Sequence, residues 1–358
     1  MLSILVSITL FFSGEIPRPD DNASLREAAF AAFQTGQYVR AEEISRRALD
    51  LAQLSGNEYD IALSYSALGD VLQAQRRFEE AERNYEKAIS LLGDQRERAR
   101  DAAMVWRNLA GGLTAEARYR EALAALNKAS TLVAKNKLGD PELNAQILNS
   151  LGFIYYNQGN RDKAGKLFLQ ASGFQFTPSN PLDVDQWQIV NNLGRLYQST
   201  KKYTKAEDFY RRALQLAEVR RGRSHPAISV VLDNLGILYA RTGRYQEAEL
   251  QLQRSLAILE HSSTSFDAIF MMRTLYGLGE TYRRQNNAVR AEEMLARASE
   301  IARRLVRPAE MPEVVEVLDT YAKVLNDLSH SAEAHRLEME AQRIRATMVY
   351  TVALGNAN

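Results

Sequence analysis

Side chains able to do chemistry are few in this sequence. It has four histidines and no cysteine, which excludes thiolate nucleophiles, disulfides and Cys-ligated zinc or iron–sulfur sites. His330 and His335 stand five apart, whereas two zinc ligands on one helix face want i and i+4, and no H-E-x-x-H accompanies them. Neither GxGxxG nor GxxxxGK[ST] occurs, so no glycine loop is present to cradle a phosphate. Glu79-Glu80 and Glu292-Glu293 could be posed as carboxylate pairs for acid–base work, but such pairs are better explained as favourable charge at a helix N-terminus. Arg220, Arg221 and Arg223 could grip an acidic partner, yet as a solvated inter-helix loop they need no ligand. No nucleophile, base and oxyanion donors converge, which points to a non-enzyme with no cofactor and no metal.

What positions these residues is a repeat. Segments align on a Leu-Gly pair: Tyr65-Ser-Ala-Leu68-Gly69, Leu148-Asn-Ser-Leu151-Gly152, Val190-Asn-Asn-Leu193-Gly194, Leu232-Asp-Asn-Leu235-Gly236 and Leu275-Tyr-Gly-Leu278-Gly279. Ala110 and Ala322 replace the glycine in two further copies, and Ala29 anchors a degenerate first one. Twelve residues after each anchor stands an alanine: Ala41, Ala81, Ala122, Ala164, Ala206, Ala248, Ala291 and Ala334. Seven residues further on come Ala48, Ala88, Ala129, Ala171, Ala213, Ser255, Ala298 and Ala341. Two helices approach to roughly 8 Å only where the crossing residues are small, so these positions predict hairpin crossings. The Leu, Tyr and Trp residues around each anchor form the apolar stripe of a 3.6-period helix. Gly36, Gly159 and Gly243, seven residues past their anchors, mark where a first helix ends.

The Leu-Gly-x-x-Tyr phrase with its later alanines resembles the tetratricopeptide repeat. The anchors lie 40, 41, 42, 42, 42, 43 and 43 residues apart, longer than the usual period of about 34. The extra residues fall between repeats, as in Arg221-Gly-Arg-Ser-His225-Pro226 and Gly139-Asp140-Pro141. A unit of this length with a His-Pro or Asp-Pro lead-in, an Asn-Asn-Leu-Gly core and a Gly-Arg-Tyr-x-Glu-Ala turn is similar to the kinesin-light-chain type of array. The resemblance implies an all-α, right-handed α-solenoid of about eight helix-turn-helix repeats over residues 22–348. Repeats are expected to start near 22, 62, 103, 145, 187, 229, 272 and 315, with 15–21 a linker and 349–358 a C-terminal tail.

Composition agrees with a soluble array: 46% of residues are hydrophobic and 25% charged, with 45 Lys plus Arg against 44 Asp plus Glu. Such a balance gives no positive field for nucleic acid or an anionic membrane. Leu2 to Phe12 is an apolar run of signal-peptide length, too short to span a bilayer, with Ser13 and Gly14 after it. Residues 1–14 are therefore expected to be an export signal, and the chain periplasmic or secreted, or else cytoplasmic. Against export, no Lys or Arg precedes the run and no A-x-A-like site follows it.

In a tetratricopeptide array the first helices line a concave groove, and ligands are held by residues three, two or one before the anchor and one, four or five after it. Those positions hold Arg107, Asn108, Asn149, Asn157, Asn191, Asn192, Arg195, Gln198, Asp233, Asn234, Arg241, Tyr276, Arg283 and Arg284, and the kinesin-light-chain resemblance implies that Asn108, Asn149, Asn191, Asn192 and Asn234 pair with a peptide. An asparagine offers a donor and an acceptor to a peptide backbone, and an arginine fork takes a carboxylate. The alternative is that the amides satisfy one another across adjacent helices. Function is accordingly expected to be a scaffold for a protein or peptide partner, with no nucleic acid and no stable membrane insertion. The other reading is a regulatory or structural subunit that uses its outer face, or a terminal repeat for self-association.

Overall fold

The computed structural model describes residues 21–173, 186–261, 267–305 and 312–355; the expected export signal lies outside them. Among the described residues every regular element is a helix, and the fold is an all-α helical repeat solenoid. The chain divides into two compact units at Gly139/Asp140. The first holds α1 (Asn22–Gln34), α2 (Tyr38–Ser55), α3 (Glu58–Ala74), α4 (Phe78–Leu92), a short 3-10 turn (Arg96–Arg98), α5 (Ala99–Ala115) and α6 (Tyr119–Lys135). The second holds α7 (Pro141–Asn157), α8 (Arg161–Gly173), α9 (Gln186–Ser199), α10 (Tyr203–Arg221), α11 (Ala227–Arg241), α12 (Tyr245–Glu260), α13 (Asp267–Arg284), α14 (Ala288–Arg304), α15 (Pro312–Asp327) and α16 (Ser331–Gly355). First helices begin up to five residues ahead of the expected repeat starts. The last helix, α16, continues to Gly355, into the expected tail.

The lead-ins act through side-chain acceptors. Asp140 Oδ1 accepts from the Leu143 N–H with Pro141 at the first helical position, and His225 Nδ1 accepts from the Ala227 N–H. Both occupy one of the unpaired donors that every helix start exposes. Each first helix then ends in one turn geometry. The residue seven past the anchor is left-handed in all eight hairpins: Gly36, Arg76, Ala117, Gly159, Lys201, Gly243, Asn286 and Ser329, with φ between 59° and 80°. The next N–H bonds back to a carbonyl five residues earlier, from Gln37 to Ala32 through to His330 to Leu325, which is the Schellman closure. Only three of these turns use glycine.

Hairpin packing explains the anchors. A Cβ on Gly69, Gly152, Gly194, Gly236 or Gly279 would come within 2.5–2.7 Å of Tyr85, Phe168, Tyr210, Leu252 or Leu295, each sixteen residues on. A large side chain lies across the backbone at each of these positions, which leaves no room for a Cβ. Where the anchor is Ala29, the residue sixteen on is the smaller Ser45. The alanines twelve and nineteen past the anchors, and Ser255, are all sealed from solvent. Arginine clasps tie neighbouring second helices on the other side: Arg77 to Glu42, Arg118 to Glu82 and Arg244 to Glu207, at 2.6–2.7 Å.

Candidate functional site

In each unit the consecutive first helices approach one another directly, α1 with α3, α3 with α5, and α7 through α15 in turn, and the second helices do not do so comparably. The first-helix side is therefore the inner one. On it, polar residues form a ladder. Asn192 Nδ2 donates to Asn149 Oδ1 at 3.0 Å, and Asn234 Nδ2 donates to Asn191 Oδ1 at 2.9 Å. In both rungs the residue two before one anchor donates to the residue three before the preceding anchor. At the next rung the donor position is Gly277, whose Cβ would meet Leu252 at 3.1 Å. Thr274 takes over, its Oγ1 donating to the Asp233 carboxylate at 2.8 Å, with Ser255 Oγ 3.1 Å from that hydroxyl. Thr320 and Tyr276 occupy the donor and acceptor positions of the rung after, two and three before their anchors.

The four asparagines and Asp233 are 2–9% exposed. Ladder bonds use only half of each amide. Asn149 Nδ2, Asn191 Nδ2, Asn192 Oδ1 and Asn234 Oδ1 have no hydrogen bond among the described residues and are not sealed from solvent. The amides thus tie repeats together and still present one polar atom apiece. Burial pushes the Asp233 carboxyl up to about 6, against the pull of Arg273 and of its hydroxyl partners.

In the first unit the arrangement differs. Asn108 Nδ2 donates to Asp70 Oδ1 at 2.7 Å, and the Tyr85 hydroxyl donates to the same oxygen at 2.8 Å after passing under Gly69. Arg107 is in electrostatic reach of this carboxylate, which burial pushes up to about 6. Tyr210 repeats the arrangement under Gly194, and its hydroxyl donates to Gln198 Oε1 at 2.6 Å. Arg283 and Arg284 both pair with Glu280, at 2.8 and 2.7 Å. Asn157 and Arg241 are exposed and make no bond among the described residues. Arg195 lies over the rings of Phe153 and Tyr156. The anchor-based register missed Asp70, Arg273, Thr274 and Thr320. Asp70 and Thr320 sit one after and two before their anchors, so the same register read over every repeat would have found them.

Among the described residues no group of three His, Cys, Asp or Glu side chains could hold a metal, and no helix is long and apolar enough to cross a membrane. The sequence matches the tetratricopeptide repeat family over residues 20–93, 145–175 and 188–261. It is similar to the cell division cycle protein 16 homolog of Homo sapiens, 34% identical over 71 residues, which are 20% of this chain and 12% of that protein. The chain thus spans about an eighth of that relative's length. Among solved structures, BtubC (BKLC) from P. vanneervenii shares the fold with a TM-score of 0.53 at 24% identity, over 64% of this chain and 91% of that one. The Rap conjugation gene regulator of plasmid pLS20, in complex with the Phr* peptide, does so with a TM-score of 0.62 at 18% identity, over 77% and 72%.

Proposed function

The chain belongs to the tetratricopeptide repeat family, and from that premise we propose that it is a non-enzymatic scaffold. In this reading it holds an extended segment of a partner protein along the inner side of the second unit. One observation carries this: the half-used amides of Asn149, Asn191, Asn192 and Asn234. Held by the ladder, they offer donors and acceptors in alternation at repeat spacing, which suits a peptide backbone of any sequence. Pre-ordering matters because a bound segment must exchange its water for fixed partners, and a backbone bond left unmade costs about 1–3 kcal/mol. The kinesin-light-chain-like unit length, and export through the Leu2–Phe12 run, belong to the same proposal. N-terminal sequencing of the mature chain checks the latter, since an intact Met1 would remove it.

The test is a pull-down with the full chain and mass spectrometry, repeated with Asn157→Trp and Arg241→Trp. These inner residues are exposed and carry no bond that folding needs. Arg212→Trp on α10, also exposed, is the control. Loss of the partner with the inner variants and retention with the control supports the groove. The opposite pattern places binding on the outer face, as a regulatory subunit would have it.

A further inference from the structure

The inner side of the second unit carries charges that the repeat architecture leaves unused. Two half-buried arginines of the second-helix side are paired, Arg244 with Glu207 and Glu247 and Arg254 with Glu218. Arg195 and Arg273 are also half-buried, yet neither has a carboxylate oxygen within 4.0 Å nor a hydrogen bond among the described residues. Arg195 instead has its guanidinium carbon 4.9 Å from the ring centroid of Tyr156 and 5.2 Å from that of Phe153. Two α7 rings hold the fork, and its N–H groups are undonated. Burial works against this charge, as does the neighbouring Arg273, while the Tyr156 and Tyr210 hydroxyl groups and Glu313 favour it. A guanidinium does not deprotonate in proteins, so the cost of an unpaired, partly desolvated cation persists until an anion arrives.

Carboxylates face the same space without closing on it. Asp233 is in reach of Arg273 but is engaged with Thr274. From α15, Glu313 lies in electrostatic reach of Arg195, and Glu316 in reach of Arg273 and Arg241, with no ion pair formed. Arg195, Arg241 and Arg273 thus lie in electrostatic reach of Glu313 or Glu316 across a gap wider than an ion pair.

Building on the scaffold reading, we propose that Arg195 and Arg273 take a single acidic side chain of the bound segment. The ligand carries an isolated Glu or Asp and no acidic run, because Glu313 and Glu316 repel a second carboxylate across the gap. A fork already stacked on two rings loses little freedom when it binds a planar carboxylate through two parallel N–H bonds.

The experiment is a display selection of random twelve-residue peptides against the full chain, sorted by sensitivity to Asn157→Trp. Sensitive peptides should share one Asp or Glu position, and Asn or Gln there should weaken binding at least tenfold. That penalty should vanish in Arg195→Gln/Arg273→Gln, whereas Glu313→Gln/Glu316→Gln should let a second acidic residue bind without loss. Should the double arginine variant fail to fold, Arg273→Gln alone, which breaks no ion pair or hydrogen bond among the described residues, should reduce the penalty. Sensitive peptides indifferent to the acidic position, or a penalty unchanged in the arginine variants, overturn this proposal and leave the scaffold reading standing. Absence of any peptide sensitive to Asn157→Trp removes both.

Discussion

The contact between Gly236 and Leu252 gives the hairpin packing a quantitative test. A Cβ on Gly236 would sit 2.5 Å from Leu252 Cγ, 2.9 Å from Cδ2 and 3.1 Å from Cδ1, where ordinary contact begins at 3.4 Å. The helices or the leucine must therefore shift by close to 1 Å to admit a single methyl. Overpacking of this kind costs about 1–3 kcal/mol, and the better helix propensity of alanine returns about 1 kcal/mol. Gly236→Ala should consequently lose about 0–2 kcal/mol. Gly236→Leu places three more carbons in the same space and should lose the upper end of about 1–3 kcal/mol or more. Leu252 is fully buried, so Leu252→Ala alone should cost about 2–5 kcal/mol through the cavity it leaves. In the double variant the new leucine enters that cavity. Its loss should fall short of the sum of the two single losses by at least about 1 kcal/mol, the coupling expected of residues in contact. Guanidinium unfolding of the four proteins, followed by circular dichroism, measures this. Losses that add to within about 0.5 kcal/mol would mean that Gly236 does not face Leu252 and that the hairpin register is wrong.

Gly111 provides the opposite case: it is exposed, and its Cβ would meet only the far end of the Gln73 side chain, at 3.2 Å. Gly111→Ala should raise stability by about 0.5–1 kcal/mol, read as a higher melting temperature. Ala117 holds a left-handed turn with φ of 59°, which costs an L-residue about 1–2 kcal/mol, so Ala117→Gly should stabilise the first unit despite the added freedom of the unfolded chain. A lowered melting temperature would contradict that geometry. The pH dependence tests Asp233. Its folded value of about 6 lies above the ordinary aspartate value of 3.8, so the folded state holds the proton more tightly. Stability from this group is therefore greatest below the unfolded pKa and declines as pH rises through about 6. Asp233→Asn should melt above the parent at pH 7.5, with the gap closing towards pH 4. Parallel melting curves at both pH values would show that burial is not setting this carboxyl.

The alanines and the Leu-Gly anchors were legible because steric crossings admit few residue types, and Gly236 or Ala248 has no substitute with the same clearance. The turns were only partly legible. Gly36, Gly159 and Gly243 announce a left-handed residue, whereas Arg76, Ala117, Lys201, Asn286 and Ser329 adopt the same geometry because the packed hairpin and its Schellman bond impose it over local preference. Among the candidate site residues the inner register was readable, but not the use each side chain is put to. Asn191 and Asn192 are neighbours in sequence and reach in opposite directions, one accepting from Asn234 and the other donating to Asn149. Only the stacking of α7, α9 and α11 decides that. Arg195 and Arg283 look alike in the sequence and differ in whether a carboxylate such as Glu280 lies one turn away.

Binding along the inner side is the central claim, and site-specific photocrosslinking addresses it most directly. A benzophenone side chain placed at Asn157 or Arg241, and in parallel at Arg212 or Val289 on the second helices, should capture the partner found by pull-down from the first pair alone. Crosslinks from the second pair, with none from Asn157 or Arg241, would contradict the account.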